Sequence, residues 1–120
     1  MMDFQGKIAL VTGASGGMGA ETARLLSDGG ARVFGAQRGL SDFEDIAVHV
    51  ADPSPPEKAI DHIAKATGQL DILVNNAGVM REGTVEDTSL DDWYLQMQIN
   101  LTAPFLLIRY AMPLLRAARG

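Results

Sequence analysis

Thr12-Gly-Ala-Ser-Gly-Gly-Met-Gly19 directly follows the apolar run Ile8-Ala-Leu-Val11 and precedes a segment with helical spacing of apolar residues. A strand that ends in a glycine-rich corner and opens into a helix gathers unpaired backbone N–H groups and the positive end of the helix at one point, where a phosphate is attracted. The spacing Gly13-x-x-x-Gly17-x-Gly19 differs from the common G-x-G-x-x-G pattern, and no Gly-Lys-Ser/Thr follows to make a P-loop. It still meets three demands of a pyrophosphate seat. Gly13 makes the tight turn, Gly17 admits the ligand to the backbone, and Gly19 lets the helix lie close to the strand. The plain alternative, a tight strand-to-helix turn, leaves four glycines with Thr12 and Ser15 unexplained.

Outward from this corner, apolar runs alternate with longer amphipathic stretches, the pattern of strand–helix units around a parallel sheet. Strands are expected at about residues 7–12, 32–37, 46–51 and 70–75. Ile8–Val11 and Leu70-Asp-Ile-Leu-Val74 lack clean alternation, which suits strands at the centre of a sheet. A first helix is expected over about 18–28, with Ala20, Ala23 and Leu26 inward and Gly29 or Gly30 as a left-handed stop. Ser54-Pro-Pro-Glu57 reads as a capping box that opens a second helix, which ends before Gly68. Between the second and third strands Gly39–Asp45 is too short for a crossover helix packed on the sheet, so a turn-rich connection is expected. From Ser89 to about Ala118, Trp93, Met97, Leu101, Phe105, Ile108, Met112 and Leu115 recur at helical spacing. The start Ser89-Leu-Asp-Asp92 has cap chemistry and an acidic first turn. Pro104 removes the donor for the Asn100 carbonyl and should kink this helix, and Pro113 does the same for Arg109.

The chain has 120 residues, 47% of them hydrophobic, enough for one core and too few for two ordinary domains. Its net charge is −5 with no basic run, which argues against nucleic acid or an anionic membrane surface as a partner. There is no cysteine, and His49 and His62 lie far apart, so no metal site is expected. With no apolar stretch of membrane-spanning length and no secretory h-region, a soluble cytoplasmic protein is the default expectation.

Three motifs in order carry a resemblance to the classical short-chain dehydrogenases/reductases. They are Thr-Gly-x-x-x-Gly-x-Gly at 12–19, Asn75-Asn76-Ala77-Gly78 at the end of the fourth strand, and Asn100 in Asn100-Leu-Thr102. The resemblance covers the whole chain. It implies a Rossmann-like α/β fold, a doubly wound parallel sheet of about four strands in the order 3-2-1-4 with flanking helices. By the same resemblance, residues 1–120 form a single dinucleotide-binding domain that lacks the catalytic and substrate-binding part. It further implies that Thr12, Gly13, Ser15, Gly17, Met18 and Gly19 seat the pyrophosphate and that Asn76, Ala77 and Gly78 pass near the riboses. Asn100 would hold a water in the proton relay. From the residues alone, a helix merely bent around the sheet explains Asn100 and Pro104 equally well.

The cofactor can be read at the end of the second strand, where an acidic residue usually holds a ribose 2′-hydroxyl and a basic one a 2′-phosphate. Here Phe34-Gly-Ala-Gln37-Arg38 has no carboxylate, which favours NADP over NAD, with Arg38 on the phosphate and Gln37 beside it. Gly16 stands where many NADP-using relatives carry a basic residue, and His49 stands where the family has an adenine-contacting Asp. Adenine then meets either the backbone around Val50 or the His49 ring. The family's catalytic pair, Tyr-x-x-x-Lys, is absent: Tyr94 is followed at that spacing by Gln98, Tyr110 by Leu114, and Lys7, Lys58 and Lys65 all precede both tyrosines. The resemblance therefore implies the cofactor half of an NADP(H)-dependent oxidoreductase acting on a small carbonyl or secondary alcohol, inactive alone. The alternatives are a non-catalytic dinucleotide-binding module or an inactive truncated relic. A homo-oligomer is expected of an intact relative, and self-association of this chain through an exposed fourth-strand edge.

Overall fold

A computed structural model describes residues 3–47 and 55–119. Among them run β1 (Ile8–Thr12), α1 (Gly17–Asp28), β2 (Arg32–Gln37), β3 (Glu44–Ala47), α2 (Pro55–Thr67), β4 (Ile72–Val74), α3 (Leu90–Met97), a π turn (Gln98–Thr102) and α4 (Ala103–Ala118). The four strands form one parallel sheet in the order β3-β2-β1-β4. This is a Rossmann-like fold. Leu10, Phe34 and Ala36 face α2 and α4 through Ala59, Ile60, Ile63, Leu107 and Ala111. Ala9, Val11 and Val33 face α1 through Ala23 and Leu26. Both faces of β1 are thus buried, which is why its sequence reads as a continuous apolar run.

Several expected boundaries move. Only β1 and β2 are interior strands. β4 is an edge strand of the described sheet, with half-buried side chains, and is shorter than its apolar run because Leu70 and Asp71 fall outside the ladder. Asp71 instead anchors the strand's entry: its carboxylate accepts the Ile8 N–H at 2.8 Å and the Gln69 amide N–H at 2.6 Å. The third strand begins at Glu44, two residues ahead of expectation, and the rest of its expected range lies outside the described residues. No helix interrupts residues 38–43, consistent with the short crossover. The Ser54 cap also lies outside the described residues. Helix α1 starts at Gly17, Ala20 is only half-buried, and Gly30 (φ 104°) rather than Gly29 takes the left-handed conformation.

The expected single helix from Ser89 is divided. Ser89 caps α3 by accepting the Asp92 N–H at 3.1 Å. After Met97 the helix widens into the π turn, where the Ala103 N–H donates to the Gln98 carbonyl, five residues back. Regular helix resumes with Pro104 in its first turn, where a missing N–H costs least. Ile99, Ala103, Leu107 and Ala111 are buried, while Trp93, Met97, Leu101, Phe105 and Ile108 stand exposed. The helical spacing of the larger side chains therefore marked the helix but not the face that packs on the sheet.

Candidate functional site

The glycine corner connects β1 to α1 at the carboxyl ends of the strands, beside the loop that follows β4. Gly13 turns the chain with φ 67°, and its N–H donates to the Ala36 carbonyl at 3.0 Å, joining the corner to β2. A Cβ at Gly13 would stand 3.2 Å from Ala77 Cα. At Gly19 the fit is tighter, since a Cβ there would overlap the Gly13 carbonyl oxygen and the Asn76 amide. Gly17 has φ 58° and open space where its Cβ would be. Among the described residues no side chain caps α1: Gly16 is extended at the N-cap, and the first turn carries no acidic residue. Ser15, Gly17 and Met18 are exposed around this uncovered positive end.

Two side chains tie the corner to the β4 loop. The Thr12 hydroxyl oxygen, on a residue 2% exposed, accepts the N–H groups of Asn76 (3.0 Å) and Ala77 (2.9 Å). The Asn76 amide donates back to the carbonyls of Thr12 and Gly13, both at 3.2 Å. Farther along the loop, Asn100 grips Val79 twice. Its Oδ1 accepts the Val79 N–H at 2.9 Å and its Nδ2 donates to the Val79 carbonyl at 2.7 Å. The π turn that carries Asn100 sets it facing this loop. Replacing Asn100 with alanine should cost only about 1 kcal/mol, because water can take over at exposed Val79 atoms, and should lower the melting temperature by roughly 4 °C. Faster amide exchange at Val79 would accompany it.

These elements border one groove of about 350 Å³, lined by Gly13, Ala36, Gln37, Arg38, the Ala77–Val79 loop, Arg81, Leu95 and Ile99. Gly13, Gln37, Arg38, Ala77 and Gly78 thus come together as the sequence suggested, while His49 and Val50 lie outside the described residues. Arg81, Leu95 and Ile99 were not anticipated; nothing in their local sequence marks them, since the fold delivers them from the loop after β4 and from the far helix. A second groove of about 380 Å³ runs between residues 81–90 and α3, shares only Arg81 with the first, and includes no residue of the glycine corner.

Gln37 and its neighbours form a small polar network at the end of β2. The Gln37 amide nitrogen donates to the Gly39 carbonyl (3.1 Å) and to Asp45 Oδ1 (2.8 Å). Asp45 also accepts the Ser41 hydroxyl and the Ser41 N–H, the latter at 3.1 Å to each oxygen. Chiefly through the Ser41 hydroxyl, then the Ser41 N–H and Gln37, the Asp45 carboxyl is held below the usual carboxylate range. Neither Ser41 nor Asp45 was singled out in the sequence, where they carry no motif.

The corner therefore offers a helix N-terminus without a side-chain cap, glycines at its turn and at its contact with α1, and a groove that reaches from Gly13 to Arg38. These features fit a dinucleotide lying across the ends of the strands. The sequence model of the short chain dehydrogenase family matches residues 7–120. The chain belongs to this family. An uncharacterized oxidoreductase of Thermotoga maritima is 35% identical over 99% of this chain and 52% of that protein. The 3-oxoacyl-acyl-carrier-protein reductase FabG of Salmonella typhimurium is 36% identical over 92% of this chain and 50% of its own length. A short chain dehydrogenase from Burkholderia cenocepacia, solved in complex with NADP, superposes with a TM-score of 0.87 at 35% identity, covering 93% of this chain and 52% of that one. The chain spans about half the length of the relatives it matches.

Proposed function

We propose that residues 1–120 form the dinucleotide-binding domain of an NADP(H)-dependent oxidoreductase that interconverts a carbonyl and a secondary alcohol. The observation that carries this reading is the single groove bordered by Gly13, Gly78 and Arg38. The Burkholderia cenocepacia relative solved with NADP supports it. The free N–H groups at the start of α1 take the pyrophosphate, with Gly13 and Gly17 keeping side chains out of its way. Thr12 and Asn76 tie the glycine corner to the β4 loop. Arg38 meets the 2′-phosphate. Asn100 fixes the Val79 end of the loop through its side-chain amide, and Pro104, having no N–H, cannot serve its backbone carbonyl. The nicotinamide, when bound, supplies hydride exchange with the substrate carbon. The tyrosine and lysine that would move the proton in this family are not among residues 1–120, so the chain alone binds the dinucleotide without turnover, as a simple binding module also would. The exposed row from Trp93 to Ile108 supports self-association.

Calorimetric titration tests the reading. The chain should bind NADP⁺ more tightly than NAD⁺, and Arg38→Gln should weaken NADP⁺ by about 10-fold, roughly 1.4 kcal/mol, while leaving NAD⁺ nearly unchanged. Equal loss for both ligands would remove Arg38 from the 2′-phosphate.

A further inference from the structure

We propose that Asp45 on β3 sets how strongly this site prefers a 2′-phosphorylated dinucleotide, by keeping a carboxylate charge directly behind the Gln37 amide at the end of β2. The inference rests on the dinucleotide reading above and concerns a residue outside the groove lining.

The strand end that would carry an acidic residue in a 2′-hydroxyl-selective site carries uncharged Gln37, 8% exposed and beside Arg38 in the groove. A carboxylate is instead supplied from the neighbouring strand, by Asp45. In the β2–β3 ladder Asp45 pairs with Gly35, two residues before Gln37 and on the same face of the sheet. Gly35 makes this possible, because a Cβ there would stand 2.9 Å from Gln37 Oε1 and 3.0 Å from Ser41 Oγ. With Asp45 and the Gly39 carbonyl engaging its nitrogen, the Gln37 amide has no N–H left for a phosphate, and its buried oxygen finds no donor among the described residues.

The charge on Asp45 is not cancelled nearby. Glu44, the preceding carboxylate, receives two bonds from the Arg32 guanidinium, at 2.6 and 2.7 Å. Asp45, by contrast, has only neutral donors, from Ser41 and Gln37, and no cationic side chain within 4.0 Å among the described residues. The end of β2 thus presents one cation, Arg38, next to Gln37, whose amide holds the ionised carboxylate of Asp45 on the neighbouring strand. A ligand bearing a 2′-phosphate feels both charges, and one with a 2′-hydroxyl feels neither strongly.

Asp45→Asn keeps an oxygen for Ser41 and deletes the charge. In paired titrations of the whole chain at low salt, the ratio of NADP⁺ to NAD⁺ affinity should rise about three- to ten-fold, and the rise should shrink as salt is added. Ser41→Ala, which loosens the same turn but keeps the charge, should lower thermal stability and leave the ratio unchanged. A role confined to holding the turn would weaken both ligands together in Asp45→Asn, and an unchanged or lowered ratio overturns the proposal while the dinucleotide reading stands. If the unaltered chain binds neither ligand, that reading itself fails and takes this inference with it.

Discussion

Gly19→Ala is expected to destabilise the chain by roughly 3 kcal/mol, about 10 °C in melting temperature, and to eliminate dinucleotide binding. The new methyl would occupy space already held by the Gly13 carbonyl oxygen, which is backbone, and by the Asn76 side-chain amide, which is pinned by two hydrogen bonds. Relief requires α1 to retreat from the corner or Asn76 to release the carbonyls of Thr12 and Gly13. Either movement also displaces the helix N–H groups that face the ligand. Gly17→Ala provides the contrast. Its Cβ enters open space, and the cost is the left-handed backbone alone, about 1 kcal/mol. Thermal melts of the two variants separate close packing from backbone conformation. Comparable losses would mean that α1 does not press on the corner as described.

Thr12→Val should cost a similar amount, roughly 2–4 kcal/mol, although the replacement has the same shape. The hydroxyl oxygen serves two N–H groups, those of Asn76 and Ala77, and a methyl in its place leaves both without an acceptor in a largely buried position. The β4 loop then loses its attachment to β1, and dinucleotide affinity falls with stability. Thr12→Ser retains the oxygen and should recover most of both. A Thr12→Val variant with unchanged stability would show that water replaces the hydroxyl and that the clasp does not hold the loop.

Strand and corner were legible for a common reason. Ile8–Val11 packs against helices on both faces, Gly13 and Gly17 take positive φ, and Gly19 stands where a Cβ would overlap its neighbours, demands that appear directly in the residue type. The strand order followed from the resemblance alone. What escaped depends on distant partners. Ile99, Ala103, Leu107 and Ala111 face the sheet, while the larger Trp93, Met97, Leu101 and Phe105 recur at the same four-residue spacing and stand exposed, so spacing within the helix cannot tell the two rows apart. Arg81, Leu95 and Ile99 reach the groove only after α3 has docked. The Asp45 network depends on β3 pairing with β2 two residues earlier than its apolar content suggested, because Glu44 and Asp45 are poor strand formers retained there by Arg32, Ser41 and Gln37.

The central claim is that the glycine corner and the end of β2 hold one dinucleotide between them. Amide chemical shifts recorded while NADP⁺ is titrated into the ¹⁵N-labelled chain test it most directly. The account predicts saturable shifts concentrated at Gly13, Gly17–Gly19, Gln37–Gly39 and Ala77–Val79, with little change at Val85–Trp93 along the outer groove. Shifts confined to that outer groove, or no saturable shift in any of these segments, would contradict it.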